Sequence, residues 1–188
     1  AVFLQFARSC MLSQSQVRVV GDRVKLVDVV IKGVGTQQAV VDVVSGVGLA
    51  MERCRVEGGV GESSGAVRVA GAGASFCARE SSMQSSQQSG LVVREGARAA
   101  LEHVTLNSCG WYGVWVVGTG SEVSAVHCYM EKNRKSNTTV KEGAHAHMRH
   151  CISNGSREAH GCLVAGKGSS LVAESSSASS NKDCGVVC

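Results

Sequence analysis

The feature that most constrains this chain is a repeat of about 24 residues. Gly65-Ala66-Val67, Gly90-Leu91-Val92, Gly113-Val114-Trp115, Gly161-Cys162-Leu163 and Gly185-Val186-Val187 each open a short run of β-forming residues, and Asn137-Thr138-Thr139-Val140 fills the remaining place. Successive starts lie 25, 23, 24, 24 and 24 residues apart. Within most units a glycine corner follows: Gly71-Ala72, Gly96-Ala97, Gly120-Ser121, Gly143-Ala144 or Gly168-Ser169. A second apolar run and a polar Ser/Asn/Gly stretch complete the unit. The segment from Gln38 repeats the pattern and that from Val17 does so more loosely. The reading is about seven coils over residues 16–188, with 1–15 as an incomplete coil or an N-terminal cap.

A unit this short is too small for a propeller blade and has no helical segment for a leucine-rich repeat, so one turn of a parallel β-helix is what remains. Seven coils stacked at ~4.8 Å would make a rod of about 34 Å. The absence of proline agrees with this, because proline has no N–H to donate to a central strand. The apolar content comes from Val, Ala and Cys, with two Trp, two Tyr and three Phe, so small residues must fill the interior.

With these motifs the chain resembles the right-handed parallel β-helices of the pectate-lyase-like class, built from the generic parallel β-helix repeat, over residues 17–188. The fold implied is all-β, a single-stranded right-handed parallel β-helix. Such repeats occur in polysaccharide lyases and hydrolases and also in non-enzymatic proteins such as some F-box proteins. The enzymes need clustered carboxylates, to hold Ca²⁺ or to converge on a glycosidic bond. Here Asp22, Asp28, Asp42 and Asp183 are scattered and no Asp-Asp pair occurs. The expectation is a segment without a catalytic site or cofactor. The alternative is a carbohydrate-binding or polysaccharide-cleaving domain whose catalytic residues lie outside this segment.

Two His-Cys pairs, His127-Cys128 and His150-Cys151, look at first like halves of a metal site. Placing the second run of each unit in register gives an inward column Cys54, Cys77, Val104, Cys128, Cys151, Ser175, preceded by Arg53, Phe76, His103, His127, His150, Glu174. Alternation along a strand would turn the first set inward and the second outward. That separates each His from its Cys and leaves His103, His127 and His150 as an outward stack, a weak metal candidate or a pH-sensitive patch. His145 and His147 would share a face, but no third ligand accompanies them.

In the first run of each unit the same alternation turns Val92, Trp115, Thr139, Leu163 and Val187 outward. An apolar stripe of this kind implies a covered face. With Trp111 and Tyr112 nearby, the candidate occupants are a protein partner, adjoining parts of the same chain or, less favoured, a carbohydrate. The net charge of +4 is dispersed, which gives no nucleic-acid signal, and no apolar run of 18 or more residues suggests a membrane span. Nine cysteines, an odd number set mostly in Val-rich segments, read as free thiols of a reducing, intracellular and cytoplasmic setting. Against this stand sequons at Asn137 and Asn154. The expected role is a rigid rod or docking surface within a larger protein that continues beyond this segment.

Overall fold

The computed structural model describes residues 2–13 (backbone only), 16–19, 23–33, 38–60 and 65–188. Asp22 and most of the 58–64 loop, both singled out in the sequence, lie outside the described residues. Three short strands per coil, joined by tight corners, stack into three columns. The first strands are β2 (Val17–Val19), β4 (Val41–Val43), β7 (Gly65–Ala70), β10 (Ser89–Arg94), β13 (Val114–Val117), β16 (Thr138–Lys141), β19 (Cys162–Ala165) and β21 (Val186–Val187), and they form one eight-stranded sheet. The second strands are β5 (Gly48–Glu52), β8 (Ser75–Arg79), β11 (Arg98–Glu102), β14 (Glu122–Val126), β17 (His145–Arg149) and β20 (Ser170–Glu174). The third strands are β6 (Arg55–Gly58), β9 (Ser82–Gln84), β12 (Thr105–Asn107), β15 (Tyr129–Glu131) and β18 (Ile152–Asn154).

In the coil below β5 the second and third strands are one element, β3 (Arg23–Gly33). It pairs with β5 through its first half and with β6 through its second. That continuity joins the two stacks into a single 13-stranded sheet, with β1 (Val2–Ser13) paired to the other edge of β3. Every pairing is parallel, from β1 on β3 to β19 on β21. The described residues contain no helix long and apolar enough to cross a membrane.

Glycine sets the first corner of each coil. Gly46, Gly73, Gly96, Gly120, Gly143 and Gly168 all have φ between 73° and 80°, a conformation that costs glycine nothing. The corner of the third unit is therefore Gly73-Ala74, two residues later than the sequence reading placed it. The repeat is also longer there: Val41 pairs with Val67 and Arg55 with Ser82, separations of 26 and 27 residues. A period held near 24 could not register that insertion. In the next coil the spacing is the regular 24, so the partner of Gly65 is Ser89, one residue before Gly90.

The interior is filled by stacked small and large side chains. On the second strands Met51, Ala78, Leu101, Ala125, Met148 and Ala173 lie in one register. Beside them run Leu49, Phe76, Ala99, Val123, Ala146 and Leu171. From Phe76 upward each coil carries a larger residue in one column and an alanine in the other, and the order switches at every coil. Neighbouring rungs are only ~4.8 Å apart, so this checkerboard lets each bulky group occupy the space above and below a small one and keeps the packing dense.

Candidate functional surfaces

The second corner, between the second and third strands, carries the histidines. Asp28, Arg53, Glu80, His103, His127, His150 and Ser175 all adopt left-handed backbone, with φ between 48° and 56°. His, Asp and Asn tolerate this conformation better than most residues, a cue the sequence did contain. The histidines thus turn outward because they form a left-handed corner; strand alternation is not the cause. Glu80 and Ser175 occupy the positions assigned above to Phe76 and Glu174. Phe76 is buried in the core and Cys77 is exposed, the reverse of the expected orientation. The inward column actually reads Cys54, Ser81, Val104, Cys128, Cys151, Ser176, linked rung to rung by backbone bonds.

The three rings do stack. His103 and His127 have centroids 5.0 Å apart and planes 5° from parallel, and His127 and His150 have centroids 4.9 Å apart and planes at 8°. Nitrogen lone pairs lie in the ring planes, so parallel rings at this spacing point them side by side. A metal needs them to converge at about 2.0–2.1 Å from each nitrogen. His145 is hydrogen-bonded to Ser170 (2.7 Å), and His147 lies 3.3 Å from Glu174.

Below the histidines the same corner is ionic. Arg53 donates to Asp28 from Nε (2.8 Å) and Nη2 (3.0 Å), and it also contacts Glu52, which pairs with Lys25 at 2.8 Å. The hydrogen bonds from Arg53 hold the Asp28 carboxyl below the usual carboxylate range, and those from Lys25 and Arg53 do the same for Glu52. Asp28 is thereby occupied in an ion pair.

The outward column of the first strands runs Arg18, Asp42, Arg68, Val92, Trp115, Thr139, Leu163, Val187. Its lower part is charged. Arg68 grips Asp42 through two hydrogen bonds of 2.8 Å each, and Asp42 is 3% exposed. The upper part is the anticipated stripe, but its exposure is uneven. Val92 and Thr139 have no accessible surface, whereas Trp115, Leu163 and Val187 are half-buried. In register Val92 sits between Arg68 and Trp115, and Thr139 between Trp115 and Leu163. Longer side chains on neighbouring rungs close over the shorter ones.

Trp115 Nε1 and Thr139 Oγ1 are buried without a protein hydrogen-bond partner. Tyr112 leans against Trp115 (centroids 5.8 Å apart) and meets Trp111 edge-on at 6.1 Å, with Lys135 Nζ 4.0 Å above the Trp111 ring. Burial pushes the Tyr112 hydroxyl up. A shallow depression beside Trp115 is lined by Arg94, Glu95, Val117, Gly118, Thr119 and Glu142. Arg94 Nε lies 3.0 Å from Glu95.

One interior feature escaped the sequence reading. Asn133 and Asn137 are fully buried. Asn133 Oδ1 accepts from the Cys109 N–H, and its Nδ2 donates to Leu106 O (3.1 Å) and to Asn137 Oδ1 (2.8 Å). Asn137 Nδ2 donates to Asn154 O and Asn181 Oδ1. Burial in this arrangement leaves the Asn137 sequon no room for a glycan. Cys54, Cys109, Cys128, Cys151 and Cys162 are buried free thiols, whereas Cys77, Cys184 and Cys188 are exposed. Burial pushes Cys109 up to about 12. Val186 continues the inward register above Cys162 and is exposed.

Stacked parallel coils with left-handed corners and a glycine ladder define a parallel β-solenoid. The family model described as right handed beta helix region matches residues 24–188, and the chain belongs to that family. No curated protein and no solved structure matches the chain.

Proposed function

We propose that this β-helix is a non-catalytic rod that docks a protein partner along the upper part of its first-strand outward column. The observation that carries the reading is the column itself: Trp115, Leu163 and Val187 are held in one straight register, half-buried, with Tyr112 and Trp111 beside them. Aromatic and aliphatic groups fixed on a rigid sheet lose little conformational freedom on binding, which favours them as interface anchors. The absence of a catalytic role is consistent with Asp28 and Asp42 each being engaged by an arginine. Five buried thiols and a buried Asn137 support an intracellular, reducing setting.

The test is site-specific photo-crosslinking in the full-length protein inside its own cells. A photoreactive residue at Leu163 should trap a discrete protein adduct that Trp115→Asp abolishes, while the same probe at Ser124, on the opposite sheet, should trap none. Equal adducts from both positions, or none from either, would overturn the reading.

A second reading has a specific observation behind it. The Trp115 ring borders a depression that also presents Arg94, Thr119, Glu95 and Glu142. An indole face combined with donors and carboxylates suits a polyhydroxylated ring, so carbohydrate could occupy the same place. Specific glycan binding that Trp115→Ala removes, in the absence of any crosslinked protein, would favour it.

A further inference from the structure

Two of the buried thiols stand on adjacent rungs of one interior column. Cys128 and Cys151 are in register, with the Ile152 N–H bonded to Cys128 O at 2.9 Å. They are 0% and 1% exposed. Cys151 Sγ reaches into the coil below and lies 3.4 Å from Ala125 O, while Cys128 Sγ lies 3.3 Å from Val126 O in that same coil. Both sulfurs are thus gathered over one turn of chain. The rest of the column separates its sulfur from theirs, since Ser81 and Val104 stand between Cys54 and Cys128. Cys109 has Ser86 and Asn133 as rung neighbours, Cys162 has Thr138 and Val186, and Cys77 has Ala50 and Ala100. Among the described residues, Cys128 and Cys151 form the one in-register pair of cysteines in these columns.

We propose that Cys128 and Cys151 are an oxidisable dithiol site that hydroperoxides convert into a disulfide joining two adjacent coils. The rung spacing of ~4.8 Å lies within the Cα range of disulfides, so the bond forms with little movement of backbone. The neighbouring Cys128 thiol holds Cys151 below the ordinary thiol value and is itself pushed up. In the proposed step Cys151 is the attacking thiolate, formed as local opening admits water to the pair. Its sulfur takes the terminal oxygen of the hydroperoxide, the O–O bond breaks, and water or an alcohol leaves after protonation. The Cys128 sulfur then attacks the resulting sulfenic acid, losing its proton as the S–O bond breaks and a second water departs. The two thiols lose two electrons in total and the peroxide gains them. Access comes through local opening of β15 and β18, three residues each.

The test uses the whole chain in a Cys10→Ser, Cys77→Ser, Cys184→Ser, Cys188→Ser background, which removes Cys10 and the thiols that are exposed among the described residues. The folded protein is treated with hydrogen peroxide, alkylated under denaturing conditions and mapped by mass spectrometry. The expected result is a loss of two alkylatable thiols and a linked peptide joining residues 128 and 151, both restored by a reductant. Cys151→Ser should lose the linked peptide, and circular dichroism should show that this variant retains its β-structure. The proposal is overturned if the folded background protein gives no 128–151 link, or if the link appears only after oxidation of the urea-unfolded chain.

Discussion

The two halves of the rod differ in how they use polar groups. Up to Met130 the third-strand interior is apolar, with Val56, Met83, Leu106 and Met130 at 0% exposure, and the outside is tied by ion pairs such as Asp28–Arg53, Asp42–Arg68 and Arg79–Glu102. Beyond it the same side of the interior holds Asn133, Asn137 and Ser153, and along the rod the outward first-strand column changes from Asp42 and Arg68 to Trp115 and Leu163. The backbone is the same in both halves, so the contrast separates what a coil requires from what it permits. A coil requires its corners and its hydrogen-bonded register. It permits polar interior groups wherever the next rung offers carbonyls and amide oxygens at a fixed distance, as Leu106 O and Asn154 O do here.

The contrast can be broken from either side. Arg68→Ala should leave the buried Asp42 carboxylate unpaired and cost about 3 kcal/mol, read from urea unfolding. Replacing both residues by apolar ones, Asp42→Val with Arg68→Leu, should recover most of that loss and extend the apolar column downward. If the double variant is as unstable as the single one, the ionic half is needed for the fold itself.

Asn133→Ala removes one acceptor and two donor contacts from the upper interior and should cost about 2 kcal/mol by the same measurement. A cost near zero would mean that the polar interior contributes nothing to coil pairing. Acid should act on the lower half first. The folded-state carboxyls of Asp28 and Glu52 are depressed, so their contribution is complete above the unfolded values near pH 4 and is lost as pH falls below them. Asp28→Asn should therefore lower the urea midpoint between pH 6 and pH 8, where the ion pair is complete, and flatten its fall below pH 4. The smallest effect belongs to Thr139→Val in the upper outward column. The hydroxyl it removes is buried and unpartnered, so stability should stay level or rise by less than about 1 kcal/mol.

Legibility followed the physics of each feature. The 24-residue period exposed the fold because Gly96, Gly120, Gly143 and Gly168 must recur wherever the corner demands positive φ. The same period misled at Cys77, because the third unit is already three residues longer by its first corner, from Gly46 to Gly73, and the left-handed corner at Glu80 interrupts the strand alternation, so the counterpart of Cys54 is Ser81 and Cys77 falls on an outward position. The histidine stack was found by a parity argument that reached the right orientation for the wrong reason, since the residues are left-handed corners. The Asn133–Asn137 network left no trace in the pattern. Asparagine reads as a turn residue, and its burial depends on carbonyls supplied by the neighbouring coils.

By itself the sequence determined the solenoid, its approximate coil count and the apolar outward column. These follow from periodicity, and periodicity is a local property repeated along the chain. The tertiary structure decided which members of that column stay accessible, how the rings of His103, His127 and His150 lie, and which cysteines meet. Those outcomes depend on what stands ~4.8 Å above and below each side chain, on residues some 24 positions away along the chain.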